Sequence, residues 1–259
     1  FIILETKCRK SCVSKQDNHP KQSKGLYLLP NLFTTAGLFA AFFAIVAAID
    51  GRFESACIAV LIAMVMDALD GRIARLTGSI SEFGAQYDSL SDVVAFGITP
   101  AIIAYTWSLV TLGKFGWLSA FVYVSAVALR LARFNTQLNH EDKQYFQGLP
   151  CPVAAGFLVS VIWAAHSFSI ASIDVSFLIA ALVVILALLM VSNIRYQSCK
   201  DISFTQRLPV VFGLLIVLLF VAIAINPPLL LLIIGLIYLL SGPILTIKTV
   251  YKAKKSRKK

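Results

Sequence analysis

Apolar runs of about 20 residues recur along the chain, separated by short polar stretches, and runs of this length suit helices that cross a bilayer. Of the 259 residues, 58% are hydrophobic and 14% are charged, whereas a soluble domain carries about 25% charged residues. The mean hydropathy of +0.82 agrees with this difference. The sequence therefore predicts an all-α fold, a polytopic helix bundle integral to a membrane.

The apolar runs predict about eight transmembrane helices, and an even number of spans places both termini on the same side. The predicted spans are Pro30–Ile49, Phe53–Leu76, Gln86–Val110, Gly116–Phe134, Pro152–Phe168, Val175–Met190, Leu208–Ile225 and Pro228–Tyr251. Only Asn226 and Pro227 separate the last two spans, which suits a tight hairpin.

Basic residues are concentrated at the two ends of the chain, which has a net charge of +10. Cytoplasmic segments of membrane proteins are enriched in Lys and Arg, so both termini are predicted to be cytoplasmic. The predicted loops on the opposite side carry only Arg52 and Lys114, which agrees with this orientation. The same rule explains the basic ends without a nucleic-acid partner, and we expect these ends to contact anionic membrane lipids.

The termini and the cysteines carry little further information. The chain begins with Phe1 rather than Met, which is consistent with a start further upstream, and no cleavable signal peptide is visible. Its 5 cysteines are scattered and show no disulfide framework. We expect them to be free thiols that face a reducing cytoplasm.

Four aspartates interrupt the apolar pattern where the second and third predicted spans meet. They are Asp67, Asp70, Asp88 and Asp92. The first two are three residues apart and the last two are four residues apart, so each pair lies on one helix face. A short cytoplasmic loop makes the two spans antiparallel neighbours. The sequence therefore predicts a cluster of four carboxylates near the cytoplasmic membrane face.

Carboxylates gathered at the edge of a low-dielectric region repel one another, so such a cluster takes up protons or binds cations. Hard oxygen ligands suit Mg²⁺, Mn²⁺ or Ca²⁺, and two such ions about 3.5–4 Å apart can clamp a phosphoryl group. Arg75 can meet a phosphate through forked hydrogen bonds. The alternative, in which the carboxylates only pair with Arg72 and Arg75, is less favoured because small residues share the same helix faces.

The pattern Asp67-x-x-Asp70-Gly71-x-x-Ala74-Arg75, eight residues, Gly84-x-x-x-Asp88-x-x-x-Asp92 resembles the signature of the CDP-alcohol phosphotransferases. Every fixed position of that signature is matched. Members of this family transfer a substituted phosphoryl group from a CDP-linked donor to an alcohol and release CMP. The resemblance implies a homodimer in the bacterial inner (cytoplasmic) membrane, with the active site facing the cytoplasm.

The resemblance also implies roles for individual residues. It assigns the four aspartates to two divalent cations, Mg²⁺ or Mn²⁺, and makes Asp92 the general base on the acceptor hydroxyl. Three more residues would border the CDP group, namely Gly71, Arg75 and Gly84. The stretch PNLFT resembles the first-helix segment of the family, so Asn31 and Thr34 would also touch the nucleotide.

The stretches SLSDVVAFGITPA, ALRLARFN, FQGLPCPVAAG and MVSNIRYQSCK resemble a subgroup, the membrane-integral phosphatidylserine synthases. One departure is Cys199, which stands where that subgroup often has an aromatic residue. The resemblance implies CDP-diacylglycerol as donor and L-serine as acceptor. Candidate partners for the serine are Arg130, Arg133, Arg195, Ser198 and Lys200. The alternatives for these basic residues are snorkelling to lipid phosphates and ordinary cytoplasmic charge.

Four segments follow from these observations: a polar basic segment 1–29 with an interfacial helix, the phosphotransferase membrane domain 30–200, two additional C-terminal helices in 201–251, and a basic tail 252–259.

Two other functions stay open. Transfer to glycerol 3-phosphate or inositol phosphate would need a denser basic pocket for the phosphate. A cation or proton transporter would explain intramembrane carboxylates, but no second set of acids continues the path through the later spans.

Overall fold

Helices form nearly all of the fold in the computed structural model, which describes residues 28–78, 81–137, 146–192, 194–196 and 226–256. The helices are α1 (Leu28–Ile49), α2 (Phe53–Thr77), α3 (Glu82–Asp92), α4 (Thr99–Trp107), α5 (Lys114–Gln137), α6 (Cys151–Ser167), α7 (Ser176–Val191) and α8 (Pro227–Ser256). A π-helical segment, Val93–Ile98, joins α3 to α4, and a 3-10 turn, Leu109–Leu112, follows α4. Two strands of two residues each, β1 (Phe146–Gln147) and β2 (Arg195–Tyr196), pair antiparallel.

The helices pack as a bundle around a core that contains many small residues. Helix α1 lies along α2, α5 lies against α7, and α6 packs between α2 and α8. The α1–α2 contact buries Ala40, Ala41, Ala44, Ala47, Ala48, Ala56, Ala59 and Ala63. Small side chains let helix backbones approach closely, which is the usual way in which membrane helices associate.

The apolar helices confirm the predicted all-helical membrane protein. Three are long and apolar enough to cross a membrane, namely Leu29–Ile49, Glu82–Trp107 and Lys114–Thr136, and three shorter apolar helices accompany them. Large apolar side chains such as Phe39 and Phe177 are exposed on the outside of the bundle, as lipid-facing residues would be. The count of eight spans and the cytoplasmic termini stay predictions, and the span Leu208–Ile225 lies outside the described residues.

The third predicted span differs most from the structure. It was expected to begin at Gln86, but α3 begins at Glu82 because the Ser81 side chain accepts a hydrogen bond from the Gly84 N–H at 3.0 Å. Helix α2 ends at Gly78, which adopts a left-handed conformation with φ 63°. The turn between the two helices is therefore shorter than expected. The other described helices begin and end within five residues of the predicted boundaries.

The π-helical segment Val93–Ile98 is a local widening that a continuous apolar run does not predict. Pro100 follows it and has no N–H to donate, so the regular hydrogen-bond pattern cannot continue unbroken. Thr99 closes the wide turn, because both its backbone N–H and its hydroxyl donate to the Val94 carbonyl. Such segments occur frequently at functional sites.

The strand pair ties the start of α6 to the end of α7, and we call this region the clasp (residues 146–149 with 189–196). Gln147 pairs with Arg195. The Gly148 N–H donates to the Ile194 carbonyl at 2.9 Å, and the Leu149 N–H donates to the Leu189 carbonyl at 3.1 Å. Gly148 has a left-handed φ of 82° and contacts the Met190 carbonyl where any side chain would clash. The clasp therefore fixes where α6 begins.

Candidate active site

The four predicted aspartates come together between the C-terminal halves of α2 and α3. One carboxylate oxygen from each of Asp67, Asp70 and Asp88 lies within 4.8 Å of the others. Asp92, one turn beyond Asp88, lies close enough to Asp67 for the two carboxyl groups to interact. The helical spacing thus delivers one carboxylate cluster built from two antiparallel helices, as the sequence predicts.

The cluster lines a small cavity between the helices. Its lining residues come from α1, α2, α3 and the π-helical segment, and are Thr34, Gly37, Leu38, Ala63, Asp67, Asp70, Asp88, Ser91, Asp92, Ala95 and Phe96. One wall of the cavity is therefore acidic and the other is apolar. This combination suits a ligand that carries both a phosphate group and an apolar part.

Asp70 is the most buried of the four carboxylates, with 4% of its surface exposed. Its Oδ2 atom accepts a hydrogen bond of 2.8 Å from the hydroxyl of Thr34 on α1. This bond fixes the orientation of the carboxylate and leaves its other oxygen for a ligand. Partners of this kind commonly orient metal-binding side chains.

The carboxylates are not neutralised by the neighbouring arginines. Among the described residues, none of the four forms an ion pair with Arg72 or Arg75, and the ion pair that is present joins Arg52 to Asp50 beyond the other end of α2. The Arg75 side chain is exposed, and its Nε donates to the Gly71 carbonyl at 2.8 Å. A set of hard oxygen ligands without a basic partner fits a divalent cation.

The residues predicted to border the CDP group surround the same mouth. Gly84 faces Asn31 so closely that a Cβ atom there would lie 3.3 Å from the Asn31 Oδ1 atom. Gly71 and Arg75 are one and two turns beyond Asp67 on α2. The structure therefore brings α1, α2 and α3 together at one rim, with Thr34 bonded directly into the cluster.

Hydrogen bonds from its two neighbouring helices hold α3 in place. The hydroxyls of Thr35 and Tyr87 share a hydrogen bond of 3.0 Å, which links α3 to α1. On the other side, the Asn135 Nδ2 atom donates to the Ser89 Oγ atom at 3.0 Å, which links α3 to α5. These bonds flank Asp88 in the sequence, so they restrict where its carboxylate can point.

Some lining residues were not foreseen from the sequence. The sequence pattern assigns no role to Ser91, yet its Oγ is buried and has no hydrogen-bond partner within the described ranges. Ala95 and Phe96 also line the cavity, three and four residues beyond Asp92 on the same helix face. Ser91 lies next to Asp92 in the sequence, and that adjacency is its only signal.

The acceptor candidates have different outcomes. Arg130 is half-buried, and its Nη1 atom donates to the Cys151 Sγ atom at 3.2 Å, at the start of α6. Arg133 is exposed on α5, and neither arginine lines the carboxylate cavity. The backbone of Arg195 pairs with Gln147 in the clasp, so it lies beside the start of α6. Ser198 and Lys200 lie outside the described residues.

Fold and site together define an integral membrane protein built of apolar helices. At one end of its helix bundle lies a cluster of carboxylates of the kind that binds divalent cations. Residues 27–191 match the CDP-alcohol phosphatidyltransferase family, and the chain belongs to that family. The match includes all four aspartates and the helices α1 to α7 in full.

Curated relatives extend over most of the chain. The chain is 38% identical over 196 residues to a CDP-diacylglycerol–serine O-phosphatidyltransferase from Helicobacter pylori. The aligned residues make up 76% of this chain and 83% of the relative. A protein of the same name from Mycobacterium leprae is 28% identical over 86% of this chain and 76% of its own length. An archaetidylserine synthase from Methanothermobacter thermautotrophicus is 35% identical over 68% of this chain and 72% of the relative.

Proposed function

We propose that this protein transfers the phosphatidyl group from CDP-diacylglycerol to the hydroxyl of L-serine, giving phosphatidylserine and CMP. The observation that carries the proposal is the cluster of Asp67, Asp70 and Asp88, whose oxygens lie within 4.8 Å of one another in a chain of this family. The names of the curated relatives support serine as the acceptor.

The carboxylates of Asp67, Asp70, Asp88 and Asp92 are the residues that would hold the cations, two Mg²⁺ or Mn²⁺ ions. When bound, these cations would neutralise the charge of the pyrophosphate and of the departing CMP. The residues themselves preorganise the site, since Thr34 fixes Asp70 and the bonds at Thr35 and Asn135 fix α3.

Asp92 is suited to act as the general base, besides its share in the cation site. It lies one turn beyond Asp88, at the junction with the π-helical segment, and it lines the same cavity as Asp67. In the proposed step the serine Oγ atom attacks the lipid-linked phosphorus while its proton passes to the Asp92 carboxylate. The bond between that phosphorus and the CMP oxygen breaks, and CMP leaves. A positioned base contributes about 10²–10⁴-fold to such a step.

The donor would lie across the rim formed by α1, α2 and α3. Gly71 leaves space at the rim for the nucleotide, Asn31 offers its side-chain amide beside Gly84, and the exposed Arg75 can reach a phosphate. Thr34 acts on the donor through Asp70 rather than by a contact of its own. The diacylglycerol tails would stay in the bilayer beside the apolar outer face of the bundle.

The acceptor would approach from the side of α5 and α6. Arg130 is the candidate that the geometry favours for the serine carboxylate, because it is half-buried and lies at the start of α6. Arg133, Arg195, Ser198 and Lys200 would add positive charge or polar contacts along the entry route. We also propose that the site faces the cytoplasm at the bacterial inner membrane and that the enzyme is a homodimer.

Release of CMP tests the proposal directly. Membranes that contain the protein are supplied with CDP-diacylglycerol, Mg²⁺ or Mn²⁺, and one acceptor at a time: L-serine, glycerol 3-phosphate or inositol phosphate. CMP release that depends on L-serine is expected. Release with another acceptor only would contradict serine as the acceptor, and no release with any alcohol would favour the transporter alternative.

A further inference from the structure

We infer that Cys151 is a positioning residue, whose thiol holds the Arg130 guanidinium in the orientation that binds the carboxylate of the acceptor amino acid. The inference rests on the proposed function, because it concerns the acceptor side of the same site. Cys151 would act through Arg130 and would not itself touch the reacting atoms.

The contact between the two residues crosses from one helix to another. The Arg130 Nη1 atom on α5 donates to the Cys151 Sγ atom on α6 at 3.2 Å. Cys151 is 1% exposed, so its thiol is available to little else than its immediate neighbours. A buried acceptor on a fixed helix restricts a long side chain that would otherwise sample many rotamers.

Part of the hydrogen-bonding capacity of the Arg130 guanidinium is unused within the described residues. The Arg130 Nε atom is buried and has no hydrogen-bond partner among them. Buried donors of this kind are costly unless they are satisfied, and a carboxylate matches the fork of a guanidinium. Arg130 therefore has one nitrogen held by Cys151 and another free for an anionic ligand.

A second buried polar group lies beside the same thiol. Tyr123 is fully buried on α5, seven residues before Arg130 and on the same face, and its hydroxyl also lacks a partner in the described part of the chain. It is close enough to Cys151 for the two groups to interact electrostatically. Polar atoms of two side chains thus meet around the start of α6 with unused hydrogen-bonding capacity.

The Arg130–Cys151 pair lies near the proposed general base, Asp92. The Cys151 thiol is close enough to Asp92 for the two groups to interact electrostatically, so the carboxylate cluster and the Arg130–Cys151 pair are near neighbours. An amino acid whose carboxylate binds Arg130 could then present its hydroxyl to Asp92. The amide groups at the start of α6 add a favourable partial charge for a carboxylate.

The clasp accounts for the fixed position of Cys151. Leu149 is hydrogen-bonded to Leu189, and Pro150 begins α6 with its carbonyl accepting from the Ala154 N–H. Cys151 follows directly, so its thiol is anchored by the main chain of α7 as well as by α6. A thiol held in this way can orient Arg130, whereas a thiol on a mobile loop could not.

The experiment compares Cys151→Ala with Cys151→Ser in detergent-solubilised full-length protein. Alanine removes the hydrogen-bond acceptor, and we expect the KM for L-serine to rise about tenfold or more, in keeping with the loss of a bond to a charged group. The KM for CDP-diacylglycerol should stay within about twofold of wild type, because the donor rim is formed by other helices. Serine supplies a hydroxyl acceptor of similar size and should restore most of the affinity.

Cys57→Ala is the matched control. Cys57 is also fully buried, and its thiol also bonds to α6, through the Val159 carbonyl at 3.7 Å, but it lies on α2 away from Arg130. The control should leave the KM for L-serine unchanged. Equilibrium binding of radiolabelled L-serine in the presence of CDP and Mg²⁺ gives the same comparison without turnover.

Coupling to Arg130 separates positioning from a general effect on packing. In an Arg130→Lys background, Cys151→Ala should change L-serine binding by less than about twofold, because the two residues act as one unit. An unchanged KM in Cys151→Ala, no rescue by serine, or an equal effect of Cys57→Ala would overturn the inference. In each of these outcomes the wild-type protein is active with L-serine. If the proposed function is wrong, the wild-type protein itself shows no activity with L-serine, so the two failures are distinguishable.

Discussion

At the scale of single residues, the site depends on carboxylates that would be unfavourable in an apolar bundle without a cation. Asp67, Asp70 and Asp88 approach one another within 4.8 Å, and the neighbouring arginines do not pair with them in the described structure. Like charges this close repel unless a cation or protons intervene. The cluster is therefore better explained by function than by stability.

Replacement of Asp92 by asparagine should separate chemistry from binding. Asp92→Asn keeps the shape of the side chain but removes the base, so kcat should fall by about 10²–10⁴-fold. Binding of CDP-diacylglycerol should change little, since Asp67, Asp70 and Asp88 remain. CMP release and equilibrium donor binding measure the two quantities, and turnover near the wild-type rate would show that another group is the base.

Thr34 should matter through its bond to Asp70. Thr34→Val keeps the volume but removes the hydroxyl that donates to Asp70 Oδ2 at 2.8 Å. We expect the affinity for Mn²⁺ to fall by about 10–100-fold, the usual effect of losing a residue that orients a metal ligand. Electron paramagnetic resonance of added Mn²⁺ measures this affinity. Thr34→Ser should preserve it, and equal losses in both variants would argue against the hydrogen bond as the cause.

The sequence allowed the four aspartates to be predicted as a cluster because helical spacing alone places each pair on one face. It did not allow the Arg130–Cys151 contact to be predicted, because that contact joins two helices whose relative position depends on the clasp. Cys151 was expected to be only a free thiol, which is the usual interpretation of a scattered cysteine. The orientation of Asp70 by Thr34 was missed for the same reason, since it depends on how α1 packs against α2.

At the scale of secondary-structure elements, α3 and its π-helical extension determine the geometry of the cavity. The apolar run was sufficient to predict a helix here. The early start at Glu82 depends on the Ser81 cap. The widened turn depends on Thr99 and Pro100. Periodicity alone places Ala95 and Phe96 on the helix face of Asp88 and Asp92, but it does not indicate the widened turn between Val94 and Thr99.

The last helix is part of the packed bundle rather than an isolated addition. Gly235 on α8 faces α6 so closely that a Cβ atom there would lie 2.7 Å from the Phe157 Cδ2 atom. The sequence left the role of this helix undecided because its apolar residues show no distinctive motif. Its contact with α6 indicates a role in supporting the helix that begins at Cys151.

Gly235→Leu should therefore destabilise the protein. Overpacking of this kind typically costs about 1–3 kcal/mol, so the temperature of unfolding in detergent should fall. The matched control is Ile237→Phe, which adds volume at a position that is 65% exposed on the same helix and should leave the unfolding temperature unchanged. An unaltered unfolding temperature in Gly235→Leu would show that α8 does not support α6 in this way.

At the scale of the whole molecule, a bundle of apolar helices holds an acidic site at one end, where we propose that a soluble acceptor meets a lipid donor. Family membership accords with this arrangement over residues 27–191. We propose that segment 30–200 is the catalytic unit and that 201–251 supports it. Composition and apolar runs were sufficient to predict the all-helical membrane fold, and within the described residues three helices are long and apolar enough to cross a membrane, with three shorter apolar helices beside them.

The most direct test of the central claim is incorporation of radiolabelled L-serine into chloroform-soluble phospholipid by purified protein supplied with CDP-diacylglycerol. We predict that labelled phospholipid and CMP form in equal amounts, that a chelator of divalent cations abolishes both, and that Mg²⁺ or Mn²⁺ restores both. Asp88→Asn should lower incorporation by at least about 100-fold, because it removes a ligand of the cation cluster. Equal incorporation by wild type and Asp88→Asn, or incorporation that persists in the chelator, would contradict a function based on the carboxylate cluster.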